Sequence, residues 1–101
     1  SSAEAESLSE RFPRVIEATG MPRALDLAPR LVSIRGRLIV AGYHQDSPRS
    51  IDMQAWNWKG LDVINAHERD PRVYIAGMKA AVDAVTRGVL DLQSLLTHRF
   101  P

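Results

Sequence analysis

Three short sets of small or polar residues follow three apolar runs, and they are the positions best suited to bring main chain close to a ligand. The sets are Ala18-Thr19-Gly20, Ala41-Gly42-Tyr43 and Asn65-Ala66-His67. Small side chains allow a flat ring or a ribose to approach the backbone closely. The same composition is also typical of ordinary turns from a strand into a loop. The pattern therefore predicts either a binding edge or three plain turns.

Glu17 is the one acid within an apolar run, which makes it a candidate for orienting a cofactor hydroxyl or for relaying a proton. Acids are seldom buried without a partner, so pairing with a neighbouring arginine or a backbone amide is the alternative.

Motifs for metal binding, phosphate binding and nucleophilic catalysis do not occur. His44, His67 and His98 lie far apart and lack the spacing of zinc ligands. There is no glycine-rich phosphate loop and no G-x-S-x-G turn. We therefore predict no catalytic and no metal-binding residue in this chain.

Two loops carry residues that suit ligand binding but have simpler explanations. The segment HERDPR at 67–72 mixes charges near a helix start, which favours a solvated or self-paired turn over phosphate binding by Arg69. Trp56 and Trp58 suit stacking on a ligand, but packing of a long loop onto the body of the protein is the stronger interpretation.

The elements that must position these residues alternate between strands and helices. Helix-prone residues open the chain over 1–11, and strands are predicted at 15–18, 38–41 and 61–66. A helix begins near Pro22, and Pro29 predicts a kink or a break in it. A helical turn is predicted over 53–58 and another over 91–96.

The clearest predicted helix lies near the end of the chain. Asp70 is a suitable N-cap, Pro71 suits the first turn and Gly88 the C-terminal stop. Its apolar residues predict a buried stripe made of Val73, Ile75, Met78, Ala81, Val82 and Val85.

The strands are apolar without alternation, which predicts parallel strands covered by helices on both faces. Right-handed crossovers then bring all three carboxyl ends to one edge, where such sheets bind ligands. The predicted fold class is therefore α/β.

Composition limits the function classes. A chain of 101 residues with 45% apolar and 25% charged residues is typical of one globular domain. A net charge of +1 predicts neither a nucleic-acid nor a membrane partner, and no apolar run is long enough to span a bilayer. The absence of cysteine excludes disulfides and thiolate zinc sites and leaves a cytoplasmic location as the default.

Four segments, VIEATGMPRALDLA, GRLIVAGYHQ, NWKGLDVINAHE and DLQSLLTHRFP, occur in the order and spacing of a known family. Over residues 12–101 the chain resembles the medium-chain dehydrogenase/reductases, the zinc-type alcohol dehydrogenases. The resemblance implies a three-stranded parallel half of a Rossmann-type sheet, the second half of that family's dinucleotide-binding domain. Residues 1–101 are thus expected to be a partial domain, a fragment of a larger chain.

The resemblance also implies a cofactor, NAD or NADP. Ala18, Thr19 and Gly20 match the strand end beside the cofactor ribose. Ala41, Gly42 and Tyr43 match the strand end at the nicotinamide ribose and carboxamide. Asn65, Ala66 and His67 match the last strand end, where relatives often have Gly-Ser or Gly-Gly. The resemblance further implies that zinc and the pocket for an alcohol or polyol substrate belong to a separate domain that is missing from these 101 residues.

In the family, subunits pair through the last strand, so residues 61–66 are the candidate edge of a homodimer. The first functional hypothesis is thus part of an NAD(P)-dependent oxidoreductase that is inactive alone. A free-standing half-Rossmann module that binds a nucleotide or a protein without catalysis is the alternative, and a purely structural domain is the third.

Overall fold

The computed structural model describes residues 2–101, so Ser1 of the predicted helix-prone segment lies outside the described residues. The chain divides into two compact units, Ser1–His67 and Glu68–Pro101. The first unit contains α1 (Ser2–Ser7), β1 (Phe12–Glu17), α2 (Pro22–Leu31), β2 (Val32–Val40), α3 (Met53–Lys59) and β3 (Asp62–Asn65). The second contains α4 (Pro71–Thr86) and a 3-10 turn (Gln93–Leu95). None of the helices in residues 2–101 has both the length and the apolar character needed to cross a bilayer.

The three strands form one parallel sheet in the order β1-β2-β3. The α/β fold class is therefore confirmed: a three-stranded parallel sheet with flanking helices, consistent with half of a Rossmann-type sheet. β1 and β2 begin earlier than predicted, at Phe12 and Val32, whereas β3 is shorter than the predicted 61–66. The pairing of β1 with β2 is irregular at the N-terminal end of β1: Phe12 lies opposite Val32, but Arg14 lies opposite Arg37. Arg35, in the irregular part of β2, has a φ of 58°.

One face of the sheet carries the core. Val15, Leu38 and Val63 lie opposite one another across the three strands, and Leu38 is fully buried. Ala28 from α2 and Trp56 from α3 pack against this row. Alternate residues of each strand lie on this face, and the apolar stripe of α2 covers them.

The opposite face carries a row of isoleucines, Ile16, Ile39 and Ile64, which lie in register. Among the described residues of the first unit no helix covers this row, so the helices of that unit cover one face of the sheet and not both as predicted. The continuous apolar runs do form parallel strands, as predicted. However, α2 and α3 both pack against the face that carries Leu38.

α2 passes through Pro29 and ends two residues later, at Leu31, close to the expected break. Pro29 has no N–H to donate to the Leu25 carbonyl, and its side chain is buried. At the C-terminal end of α2 the free carbonyls accept hydrogen bonds from a side chain. Nζ of Lys59 donates to the oxygens of Pro29, Arg30 and Val32 at 3.0, 3.2 and 3.0 Å.

The second unit is built around α4, and its predicted ends are confirmed. Asp70 caps the first turn by accepting from the amide of Arg72 at 2.9 Å, and Gly88 follows the helix with a φ of 70°. Within this unit α4 has no buried residue, so residues 68–101 do not themselves cover the predicted stripe. A unit made of one helix, one 3-10 turn and extended chain does not form a core of its own.

Candidate functional site

The carboxyl ends of the three strands lie side by side at one edge of the sheet. Glu17 is opposite Val40, and Val40 is opposite Asn65. The amides of Ala41 and Gly42 both donate to the Glu17 carbonyl at 2.8 Å, and the amide of Ala66 donates to the Val40 carbonyl at 2.9 Å. The three predicted sets, 18–20, 41–43 and 65–67, are thereby brought together. We call this group of nine residues the strand-end edge.

The Glu17 carboxylate organises the turn after β1. Its Oε1 accepts hydrogen bonds from the amide of Thr19 at 2.7 Å, the hydroxyl of Thr19 at 2.6 Å and the amide of Gly20 at 3.0 Å. The hydroxyl of Thr19 in turn accepts from the amide of Met21 at 3.1 Å. Glu17 is 3% exposed, so the carboxylate is satisfied from within the protein. The partner predicted from neighbouring amides is confirmed.

The second oxygen of Glu17 joins β1 to the loop after β2. Its Oε2 lies 2.8 Å from Nε2 of His44, and Nδ1 of His44 lies 3.0 Å from Nε of Arg49. A guanidinium only donates, so Nδ1 must be the accepting nitrogen and Nε2 must carry the hydrogen donated to Glu17. The geometry therefore selects one tautomer of His44.

Arg49 fixes this loop at several further points. Its guanidinium donates to the Gly20 carbonyl at 3.2 Å and to the carbonyl and hydroxyl of Ser47 at 3.0 and 2.9 Å. It also pairs with Asp46, and its hydrogen bond to that carboxylate lowers the pKa of Asp46. Only 11% of the Arg49 side chain is exposed. We call Glu17, His44 and Arg49 the Glu17 network.

Charge in the Glu17 network favours an ionised carboxylate. Burial raises the pKa of Glu17, but hydrogen bonds from Thr19, His44 and Gly20 outweigh it, and the pKa falls from 4.5 to about 2. At neutral pH Glu17 is thus a fixed anion whose oxygens are all in use. It carries no proton at neutral pH and its side chain is 1% exposed, which argues against the relay considered from the sequence.

Two glycines allow the turns after β1 and β2 to touch. Gly20 has a φ of 73°, and a Cβ there would lie 2.5 Å from the Tyr43 carbonyl oxygen. A Cβ on Gly42 would lie 2.2 Å from the Gly20 amide nitrogen and 2.5 Å from Oε2 of Glu17. Both glycines are required by contacts within the protein, whatever the turns bind.

The outer surface of the strand-end edge is open. Tyr43 is 69% exposed, and its ring centroid lies 6.0 Å from that of His67 at an interplanar angle of 30°. This tilted pair links the ends of β2 and β3. Ala18, Ala41 and Ala66 are also exposed, so the main chain beside them is accessible.

The hydrogen-bonding capacity of the strand-end edge is unequal. Five of its amides already donate within the chain: those of Thr19, Gly20, Ala41, Gly42 and Ala66. The carbonyls of Ala18, Ala41 and Ala66 accept no hydrogen bond from any residue in 2–101. The strand-end edge is therefore suited to a flat molecule that carries N–H or O–H donors.

The other sequence candidates lie elsewhere. Trp56 is half-buried against the core, as predicted, whereas Trp58 is 88% exposed and does not pack the loop onto the body. The charged segment is a self-paired turn: Oε1 of Glu68 accepts from the amides of Arg69 and Asp70, and Asp70 pairs with Arg72. That pair lowers the pKa of Asp70 and raises the pKa of Arg72.

His44 and Arg49 were not singled out as partners of Glu17 from the sequence. The signal was present in the polar loop YHQDSPRS, which directly follows β2 and must pass the end of β1. A buried acid at a strand end needs donors, and this loop contains the nearest histidine and arginine along the chain after β2.

Residues 2–101 contain no group of three or more histidine, aspartate or glutamate side chains arranged to hold a metal ion. The strand-end edge presents no paired acid and base and no activated nucleophile among its nine residues.

Comparison with known proteins adds no assignment. No protein-family model matches the chain, and no curated protein matches it.

Proposed function

We propose that this chain is part of an NAD(P)-dependent oxidoreductase similar to the zinc-type alcohol and polyol dehydrogenases. In this proposal the strand-end edge provides the nicotinamide side of the cofactor site, and the chain itself carries no catalytic group. The supporting observation is the alignment of three parallel strand ends, each followed by accessible main chain with small neighbouring side chains.

The residues present fit the nicotinamide half of such a cofactor. Its carboxamide has an NH2 group and its ribose has hydroxyls, and the exposed edge carbonyls accept hydrogen bonds. The Tyr43 and His67 rings provide an apolar surface for a flat ring. When bound, the nicotinamide accepts or releases a hydride, and the residues of this chain orient it and shield one side from water.

The pyrophosphate and the adenosine are not accounted for by this edge. Phosphate groups need free amides or a glycine-rich turn before a helix, and the amides of Thr19 and Gly20 already bind Glu17. We therefore propose that a preceding segment binds the phosphates. We further propose that zinc and the alcohol substrate are held by another domain, and that β3 pairs with a second subunit along its free edge.

Titration with the two halves of the dinucleotide tests this proposal. Nicotinamide mononucleotide should shift the amide resonances of Ala18, Ala41 and Ala66 in a 15N-labelled chain, with millimolar affinity. Adenosine monophosphate should leave those resonances unchanged. Shifts at the edge with adenosine monophosphate alone, or no shifts with either compound at 20 mM, would contradict the assignment.

Intact NADH provides a second measurement. Without a phosphate-binding turn, the chain should bind NADH weakly or not at all, and calorimetry should give no low-micromolar dissociation constant. A low-micromolar value would mean that residues 1–101 contain a complete site.

A protein-binding module without catalysis is the second candidate, and the isoleucine row favours it. Ile16 and Ile64 lie on the sheet face that α2 and α3 leave uncovered, and apolar side chains on a sheet face are normally covered. A module of this kind should bind neither half of the dinucleotide, so the titration above separates the two candidates.

A further inference from the structure

A cavity of about 260 Å³ lies between α2, α3 and the turn before β1. Its lining includes Leu25, Pro29, Ile51, Ala55 and Trp56, which together form apolar walls. None of its lining residues belongs to the strand-end edge. The volume exceeds the roughly 150 Å³ of a cavity that accommodates benzene and lies just below that of drug-sized pockets. A ligand with a single aromatic ring and a short side chain fits this size.

Charge around the cavity favours a cation. Three carboxylates, those of Glu10, Asp26 and Asp52, line it against two cations, Arg30 and Lys59.

Of the two cations in the lining, Lys59 is engaged within the protein and Arg30 is not, and the five charged side chains sum to −1. Nζ of Lys59 donates to three carbonyls at the end of α2 and lies 3.6 Å from Oε1 of Glu10, and its side chain is 11% exposed. Arg30 is exposed, its carbonyl accepts from the amide of Glu10, and its side chain forms no hydrogen bond or ion pair with any residue in 2–101.

Among the acids, Asp26 is available to a ligand. Oδ1 of Asp52 accepts from the amide of Ala55 as the cap of α3, and Glu10 faces Lys59. Asp26 forms no hydrogen bond or ion pair with any residue in 2–101. It lies on the exposed side of α2, one turn before the buried Pro29.

From these observations we infer that the cavity binds a small primary ammonium ion that carries one aromatic ring. The ring occupies the space between Leu25 and Trp56, and the ammonium group pairs with Asp26 at the cavity entrance. The inference is independent of the proposed cofactor function.

The test is an NMR titration of the 15N-labelled chain with 2-phenylethylamine at neutral pH. The Trp58→Phe background leaves Trp56 as the only indole, so its Nε1–H resonance reports directly on the cavity. We expect a saturable shift of this resonance and of the amides of Leu25 and Ala55. 3-Phenylpropionate has the same ring with a carboxylate, and it should give no saturable shift.

Two substitutions locate the binding. Asp26→Asn should weaken the apparent affinity for the amine about two- to fivefold, the range of an exposed ion pair. Ala55→Leu should fill the cavity and reduce the affinity at least tenfold. Asp91→Asn removes one charge outside the cavity and keeps an oxygen that accepts from the Gln93 amide, so it should leave the affinity unchanged.

Three outcomes would overturn the inference. Equal binding of the carboxylate would show that Arg30 rather than Asp26 selects the ligand. An unchanged affinity in both Asp26→Asn and Ala55→Leu would place the binding elsewhere. The absence of any saturable shift of the Trp56 indole would show that the cavity does not take such a ligand.

Discussion

Nε2 of His44 donates to Oε2 of Glu17 at 2.8 Å, which ties the loop after β2 to the last residue of β1. The two residues are 27 positions apart, yet the contact is buried, with the side chains 12% and 1% exposed. Together with Arg49 they hold the turns of the strand-end edge in place through groups that lie behind it. The strand-end edge is thus shaped from within the protein, while its outer surface remains free.

Replacing Glu17 by glutamine should destabilise the fold strongly. A carboxamide accepts at only one of its two positions, so its NH2 group would face either the donors of the β1 turn or the Nε2–H of His44. We expect a loss of about 3 kcal/mol in the free energy of unfolding, the range for breaking a buried charged network. Urea denaturation followed by tryptophan fluorescence measures it. Glu6→Gln, an exposed position in α1, is the control and should change stability by less than about 0.5 kcal/mol.

Acid should remove the same stabilisation. A carboxyl whose pKa is lowered in the folded state stabilises the protein above its unfolded pKa of 4.5, and this is lost as pH falls through the folded value of about 2. The difference corresponds to about 3 kcal/mol. Urea midpoints measured from pH 6 to pH 2 should decline in this window, and the decline should be clearly smaller in Glu17→Gln. Parallel declines in both proteins would contradict an ionised Glu17.

Gly42→Ala should be far more damaging than alanine at another glycine. The new Cβ would meet backbone of Gly20 and a buried carboxylate oxygen, neither of which can move without displacing the other. A loss of about 3 kcal/mol or more is expected. Gly77→Ala in α4 is the matched control, since a Cβ there meets nothing within 4 Å and the helix should gain about 0.5–1 kcal/mol. Thermal melts of the two variants should therefore move in opposite directions.

Lys59→Met should weaken the attachment of α3 to α2. The ammonium group donates to three carbonyls at the end of α2, and methionine preserves the apolar stem but none of these hydrogen bonds. We expect a loss of about 2 kcal/mol in unfolding free energy. Lys79→Met on the exposed surface of α4 controls for the loss of one charge. If both variants unfold at the same urea concentration, Lys59 does not cap α2.

The sequence predicted the elements where local signals were strong. Asp70, Pro71 and Gly88 defined the ends of α4 because capping depends on residues adjacent to the helix. The apolar runs gave three parallel strands and the common edge at which 18–20, 41–43 and 65–67 meet. Pro29 predicted a kink, or a break near residue 29, and α2 ends two residues after it, where β2 begins.

Contacts between residues far apart in the sequence could not be predicted from such local signals. The partner of Glu17 depends on how the loop after β2 folds back, and His44 was considered only as a metal ligand. The apolar face of α4 predicted burial, but a periodic pattern does not identify the surface that would cover it. The same holds for Ile16 and Ile64, where a continuous apolar strand does not reveal which face the helices take.

The Glu17 network has a consequence for the thermodynamics of ligand binding at the strand-end edge. Because hydrogen bonds behind the surface already order the turns after β1 and β2, a ligand does not have to immobilise them. Association at a preorganised surface loses less conformational entropy than association that orders a mobile loop. Weak binding of a small half-cofactor would then leave the backbone order parameters of residues 18–20 and 41–49 unchanged.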